Sequence, residues 1–159
     1  MKTSIINKPR YIQIMFLALI VLLLGTSCRV TLIPPYDDSI AQQIDQTSKQ
    51  VDKFYLTMLE LSTTNNNGRA FEHFVLQYVD IEVELNSLLS KNKVRPLNQN
   101  STRICEITLE LWVKYKEEHK KDNTLSDGLV KLNRKTFSDL FYAMQVAEEG
   151  KNIAGNPPK

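Results

Sequence analysis

The chain is 159 residues long with 20 Lys and Arg against 18 Asp and Glu, yet its first 27 residues hold three of the basic residues and none of the acidic ones. Residues 28–159 therefore carry a net charge of −1 and offer no basic field for a nucleic acid. Two cysteines, Cys28 and Cys105, are too few for a disulfide scaffold, and the 132 residues after position 27 suit a single domain.

The first element is a leader. Lys2, Lys8 and Arg10 precede an apolar block from Ile14 to Leu24, which gives way to Gly25-Thr26-Ser27-Cys28. Crossing about 30 Å of hydrocarbon takes roughly 20 apolar residues, and this block has eleven. A basic start, an apolar block of roughly 7–15 residues and small residues before the cut are the parts of a cleaved secretory signal. These residues resemble a bacterial lipoprotein signal peptide. In that family the cysteine is acylated on sulfur and becomes the new N-terminus after cleavage. The family's usual leucine stands one residue early here, at Leu24, with Gly25 in its place. The resemblance implies that residues 1–27 are removed, that Cys28 is the lipid attachment residue, and that residues 28–38 form a tether. Several acyl chains would anchor the protein stably, since each buried methylene contributes about 0.8 kcal/mol. In Gram-negative lipoproteins an Asp after the cysteine usually retains the protein on the inner membrane, so Arg29 implies an outer-membrane address facing the periplasm. The competing readings are an uncleaved signal-anchor and an ordinary signal peptide with an incidental cysteine.

Beyond the leader, prolines fall only at Pro34-Pro35, Pro96 and Pro157-Pro158, and glycines at Gly68, Gly128, Gly150 and Gly155. Interior Pro costs a helix about 3 kcal/mol and Gly about 1, so long breaker-free segments predict several helices. The first begins after Asp37, Asp38 or Ser39, any of which can cap it. Its apolar positions Ile40, Ile44, Thr47, Val51, Phe54, Met58 and Leu61 step by three or four, with Thr47 the single polar interruption. A polar turn over 62–68 leads to a second helix ending near Ser90, carrying Phe71, Val75, Tyr78, Ile81, Leu85 and Leu88. Within it Val79, Ile81, Val83 and Leu85 alternate with Asp80, Glu82 and Glu84, which is strand periodicity, and Ile107, Leu109, Leu111 and Val113 alternate similarly.

After a loop containing Pro96, Asn100 and Ser101 are cap candidates for a third helix with Ile104, Ile107, Leu111 and Tyr115 as its seam. Asp122-Asn123-Thr124 offers a start for the fourth. That helix places Leu129, Leu132, Thr136, Leu140, Ala143 and Ala147 on the seam, Phe137, Phe141 and Met144 alongside, and Gly150 at its end. The fold expected is an all-α, antiparallel up-down-up-down four-helix bundle over residues 39–150, followed by a flexible tail, 151–159. The alternative is an α+β fold with a short hairpin.

Chemistry-bearing groups are sparse. His73 and His119 are the only histidines; an antiparallel bundle would bring them to one end, but off the main seams they are expected to be exposed. No nucleophile elbow, phosphate-cradling glycine loop or metal-ligand spacing is present. Glu82 with Glu84, and Glu117 with Glu118, are pairs in sequence that diverge on a helix. Cys105 reads as a small buried hydrophobe, and Tyr36, Phe54, Tyr55, Trp112, Phe137 and Phe141 as core. No enzyme activity, metal or cofactor is expected. Residues 28–150 also resemble small helical envelope lipoproteins that begin Tyr-Asp-x-x-Ile soon after the lipid cysteine, here Tyr36, Asp37 and Ile40, followed by Val51-Asp52-x-Phe54. That resemblance implies no catalytic residue. The expected function is a lipid-anchored envelope module that binds or scaffolds a protein partner at the membrane. A periplasmic ligand- or metal-binding domain is the alternative.

Overall fold

The computed structural model describes residues 12, 14–16 and 33–155, so Cys28 and residues 156–159 lie outside the described residues. Residues 12 and 14–16 are helical and belong to a unit separate from the one that starts at Leu32. In the second unit Asp37 opens the first long helix, α1 (Asp38–Glu60), its carboxylate accepting from the backbone N–H groups of Ser39 and Ile40. Those bonds satisfy two of the four amides that a helix start leaves unpaired. Helix α1 buries Ile40, Ile44, Thr47, Val51, Phe54 and Met58 as the periodicity predicts, plus Gln43 and Tyr55, while Leu61 falls past the end and is exposed.

Two short 3-10 turns, Asn65–Asn67 and Phe71–Phe74, carry the chain into α2 (Val75–Lys93). Gly68 lies between them because a Cβ there would stand 2.5 Å from the Thr63 carbonyl oxygen. Helix α3 (Gln99–Asp122) follows the Pro96 loop and stops at Asn123, whose left-handed backbone (φ 51°) ends it. Helix α4 (Asp127–Gly155) completes the unit. The unit is all-α, with no strand among the described residues. The hairpin alternative therefore falls away. Val79 and Val83 are about half exposed while Ile81 and Leu85 are buried, so a helix with apolar residues on opposite faces imitates strand alternation.

Partners across each helix pair run in opposite directions along the chain. Asp37 and Asp52 of the first helix region meet Glu148 and Arg134 of α4; Gln43 and Phe54 meet Glu84 and Phe74; Tyr78 and Glu82 of α2 meet His119 and Lys116 of α3. Trp112 of α3 packs on Phe137 of α4, closing an antiparallel bundle. Trp112 sits at its centre, with Phe54, Tyr55, Tyr78 and Phe137 rings 5.2–6.3 Å away and its indole N–H donated to the Tyr78 carbonyl.

Two seams and three helix boundaries differ from expectation. In α3 the buried positions are Cys105, Thr108, Trp112 and His119, and Ile104, Ile107, Leu111 and Tyr115 are only half-buried. In α4 they are Val130, Asn133, Phe137, Phe141, Met144, Glu148 and Lys151, leaving Leu129 and Leu132 exposed. Each expected seam is thus rotated by one residue, about 100° around the helix. Thr108, Asn133, Glu148 and Lys151 hold core positions that a search for apolar residues skips. The cap of α3 is Asn98, not Asn100 or Ser101, and that of α4 is Ser126, whose hydroxyl accepts from the Leu129 N–H. Finally, α4 does not end at Gly150. It continues to Gly155, because Lys151 is buried and its ammonium pairs with Glu148 one turn back, so residues 151–155 are helix rather than tail.

Candidate functional site

Two polar knots close the two ends of the bundle. At the end where the described chain begins, the Glu148 carboxylate accepts from the Asp37 backbone N–H at 2.9 Å and from the Arg95 guanidinium at 3.2 Å, and also pairs with Lys151. Arg95 donates a further bond to the Pro35 carbonyl. Residues 35–37 are therefore bound to the end of the bundle, so this part of the expected 28–38 tether is not a free segment. Beside this knot the Asn92 amide donates to the Leu88 carbonyl and approaches the Cys105 sulfur at 3.5 Å. Asn98 turns inward to donate to Asn92, which is why it leaves the α3 start without a side-chain cap. Burial pushes the Cys105 thiol up to about 12 and keeps it protonated and inert.

At the opposite end the buried Arg69 donates to the carbonyls of Met58, Ser62 and Leu125 and to the Asp127 carboxylate. Here the expectation for one histidine is corrected. His73 is exposed, but His119 is fully buried. Its Nε2 donates to the Arg69 carbonyl at 2.8 Å, which leaves Nδ1 to accept from the Tyr78 hydroxyl at 3.0 Å. Both ring nitrogens are engaged and the ring is held neutral, its pKa lowered chiefly by burial against the bond to Arg69. His119 is thus a structural core residue and forms no pair with His73.

The carboxylates divide in the same way. Glu82 accepts from Lys116 at 2.6 Å and Glu84 from Gln43 at 2.9 Å, so the two serve different neighbours, while Glu117 and Glu118 are exposed on α3. Phe54, Tyr55, Trp112, Phe137 and Phe141 are core, and Tyr36 is half-buried. Among the described residues no group of three or more His, Cys, Asp and Glu is arranged to hold a metal, and no helix is long and apolar enough to cross a membrane.

The apolar surface carries more information than these groups. Leu76, Val79 and Val83 form an exposed stripe on α2, opposite the face that buries Tyr78, Ile81 and Leu85. On α4 the stripe through Leu129, Leu132 and Leu140 flanks α3, since Arg134 on the other flank reaches Asp52 of α1. Tyr115 on the matching flank of α3 packs edge-on against Phe137. A further groove of about 690 Å³ runs between α1 and α4, with the Asp52–Arg134 ion pair on its wall. The positions alternating with the core, rather than polar motifs, are the signal by which these surfaces could be read from sequence. No protein-family model, curated protein or solved structure matches the chain.

Proposed function

We propose that the chain is a lipid-anchored cell-envelope protein, attached through Cys28 to the outer membrane and facing the periplasm, whose bundle binds or scaffolds a protein partner without catalysing a reaction. The observation that carries this reading is the apolar stripe Leu76, Val79 and Val83, set at helical spacing on the outside of α2. Contiguous exposed apolar surface marks interaction sites on soluble domains. The interior, by contrast, is filled by the rings around Trp112, and the one buried imidazole already has both nitrogens bonded. These features favour recognition on the outer faces.

The experiment has two parts. Mass spectrometry of the N-terminal peptide should find Cys28 acylated and residues 1–27 missing; an intact leader or a free Cys28 thiol after export refutes the anchor. Release of the protein by Cys28→Ala behind a cleavable signal should then impair function more than His73→Ala or Cys105→Ser, at equal protein levels. Substitution of Leu76 and Val83 by serine should impair it without lowering stability. Full function from the released form, with loss from His73→Ala, overturns the reading in favour of a ligand-binding periplasmic domain.

A further inference from the structure

The α2–α3 corner combines a basic sequence run with outward-turned apolar side chains. Between Glu84 and Glu106 the chain has no acidic residue but contains Lys91, Lys93, Arg95 and Arg103. In the loop itself Asn92 and Asn98 turn inward while Val94 and Leu97 turn out, 81% and 53% exposed. Leu97 does so with φ 59°, a left-handed backbone ordinarily left to Gly or Asn. A bulky apolar side chain is held in solvent at a strained position, which is the pattern of a functional constraint. Lys93, Leu97 and Arg103 line one shallow concavity of about 610 Å³, together with the start of α3, whose amides lack a side-chain cap and add partial positive charge.

We propose that this corner is a docking face for an anionic phospholipid surface, with Val94 and Leu97 entering the headgroup region and Lys91, Lys93 and Arg103 meeting the phosphates. The inference rests on the lipid-anchor reading and deepens it. Arg95 bonds the Pro35 carbonyl, so the chain leaves the bundle toward Cys28 from this same end. Only four residues lie between Cys28 and Ile33, and the five steps from one to the other reach at most about 18 Å. An anchored bundle must therefore present this end to the bilayer. Glu106 lies 3.4 Å from both Lys93 and Arg103, and Glu110 3.4 Å from Arg103, but those two cations are more than half exposed, and ion pairs so placed are readily exchanged for phosphate. Each basic side chain near an anionic leaflet is worth about five-fold in affinity, and the effect fades within a Debye length.

The test uses the full chain reconstituted in vesicles, either phosphatidylcholine alone or phosphatidylcholine with phosphatidylglycerol, with a nitroxide on Gln99→Cys at this corner and on Thr64→Cys at the far end. On phosphatidylglycerol vesicles the label at 99 should become several-fold more accessible to oxygen than to a polar nickel quencher, while the label at 64 stays aqueous. High salt, Lys93→Glu with Arg103→Glu, and Leu97→Gly should each return it to water. Leu97→Gly relieves the left-handed backbone, so its thermal midpoint should not fall and loss of docking cannot be ascribed to unfolding. An aqueous label at 99 on both vesicle types overturns the proposal, as does equal immersion on both or burial by contact between protein copies. The mass of the N-terminal peptide of the same sample separates the two readings: a retained leader refutes the lipid anchor alone, and acylated Cys28 with an aqueous label refutes the docking face alone.

Discussion

Glu148→Ala should be the most damaging single change at the chain-entry end of the bundle. The Glu148 side chain is 2% exposed and stands between Arg95 at 13% and Lys151 at 6%, while also accepting the Asp37 N–H. Alanine would leave a backbone donor without a partner and two largely desolvated cations facing each other across a void. Removing one partner of a buried ion pair costs about 3–5 kcal/mol, most of it the penalty on the charge left behind. With a urea dependence of about 2 kcal/mol per molar for a domain this size, the unfolding midpoint should drop by roughly 2 M. Far-UV circular dichroism of residues 29–159 during urea titration measures this directly. Glu148→Leu combined with Lys151→Met removes one charge of each sign and lets Arg95 lean to solvent, so it should recover much of the loss. A Glu148→Ala protein within about 1 kcal/mol of the parent would refute the reasoning, because the knot would then be solvated and weak.

Stability should also fall with acid from the His119 site. Its folded pKa lies below the ordinary 6.5, so the unfolded chain takes up the proton first. The contribution is therefore full above about pH 6.5 and is lost as pH drops through the lower folded value; a denaturation midpoint constant from pH 7 to 5 would contradict this, and His119→Gln should flatten the window. Cys105 should resist a disulfide-exchange reagent in the folded protein and react in full once urea unfolds it, as the raised thiol pKa and burial require. A 36–150 fragment should be roughly 1–3 kcal/mol less stable than 33–155, since it lacks the Pro35 carbonyl and the Lys151 ammonium that the end knot uses. Equal urea midpoints for the two fragments would show those residues to be dispensable.

Where each core position is apolar, the sequence is a sufficient guide. Ile40, Ile44, Val51, Phe54 and Met58 on α1, and Tyr78, Ile81, Leu85 and Leu88 on α2, were legible from spacing alone because hydrophobic burial is local information about a face. The seams of α3 and α4 were not. Thr108 and Lys151 find partners one turn back, at the Ile104 carbonyl and Glu148, but His119 and Glu148 lie inside only because their partners are supplied from elsewhere: Tyr78 and Arg69 for His119, Arg95 and Asp37 for Glu148. Those partners stand 41 to 111 residues away along the chain. Periodicity cannot anticipate such pairs, and the half-buried Ile104, Ile107 and Leu111 made a cleaner pattern than the true seam. The same limit hid the docking corner. A run free of acidic residues was readable, but the outward turn of Leu97 depends on a left-handed backbone that no leucine advertises.

Arg69 has consequences for how the chain folds. Its guanidinium ends on the last turn of α1, the loop after it, the α3–α4 connection at Leu125 and the first residue of α4, Asp127, while its carbonyl receives His119. None of these bonds to the second half of the molecule can form while only the α1–α2 hairpin exists, and the buried fork would then have no acceptors from α4. Half of the protein should consequently gain little order alone, and the two hairpins should not behave as separate folding units. Native-state hydrogen exchange would register this as one shared opening energy for the central amides of all four helices, rather than two tiers. A lysine cannot take over the position, because a single ammonium cannot reach four oxygens arranged around a planar fork. One arginine in a loop thereby makes the bundle an all-or-none object.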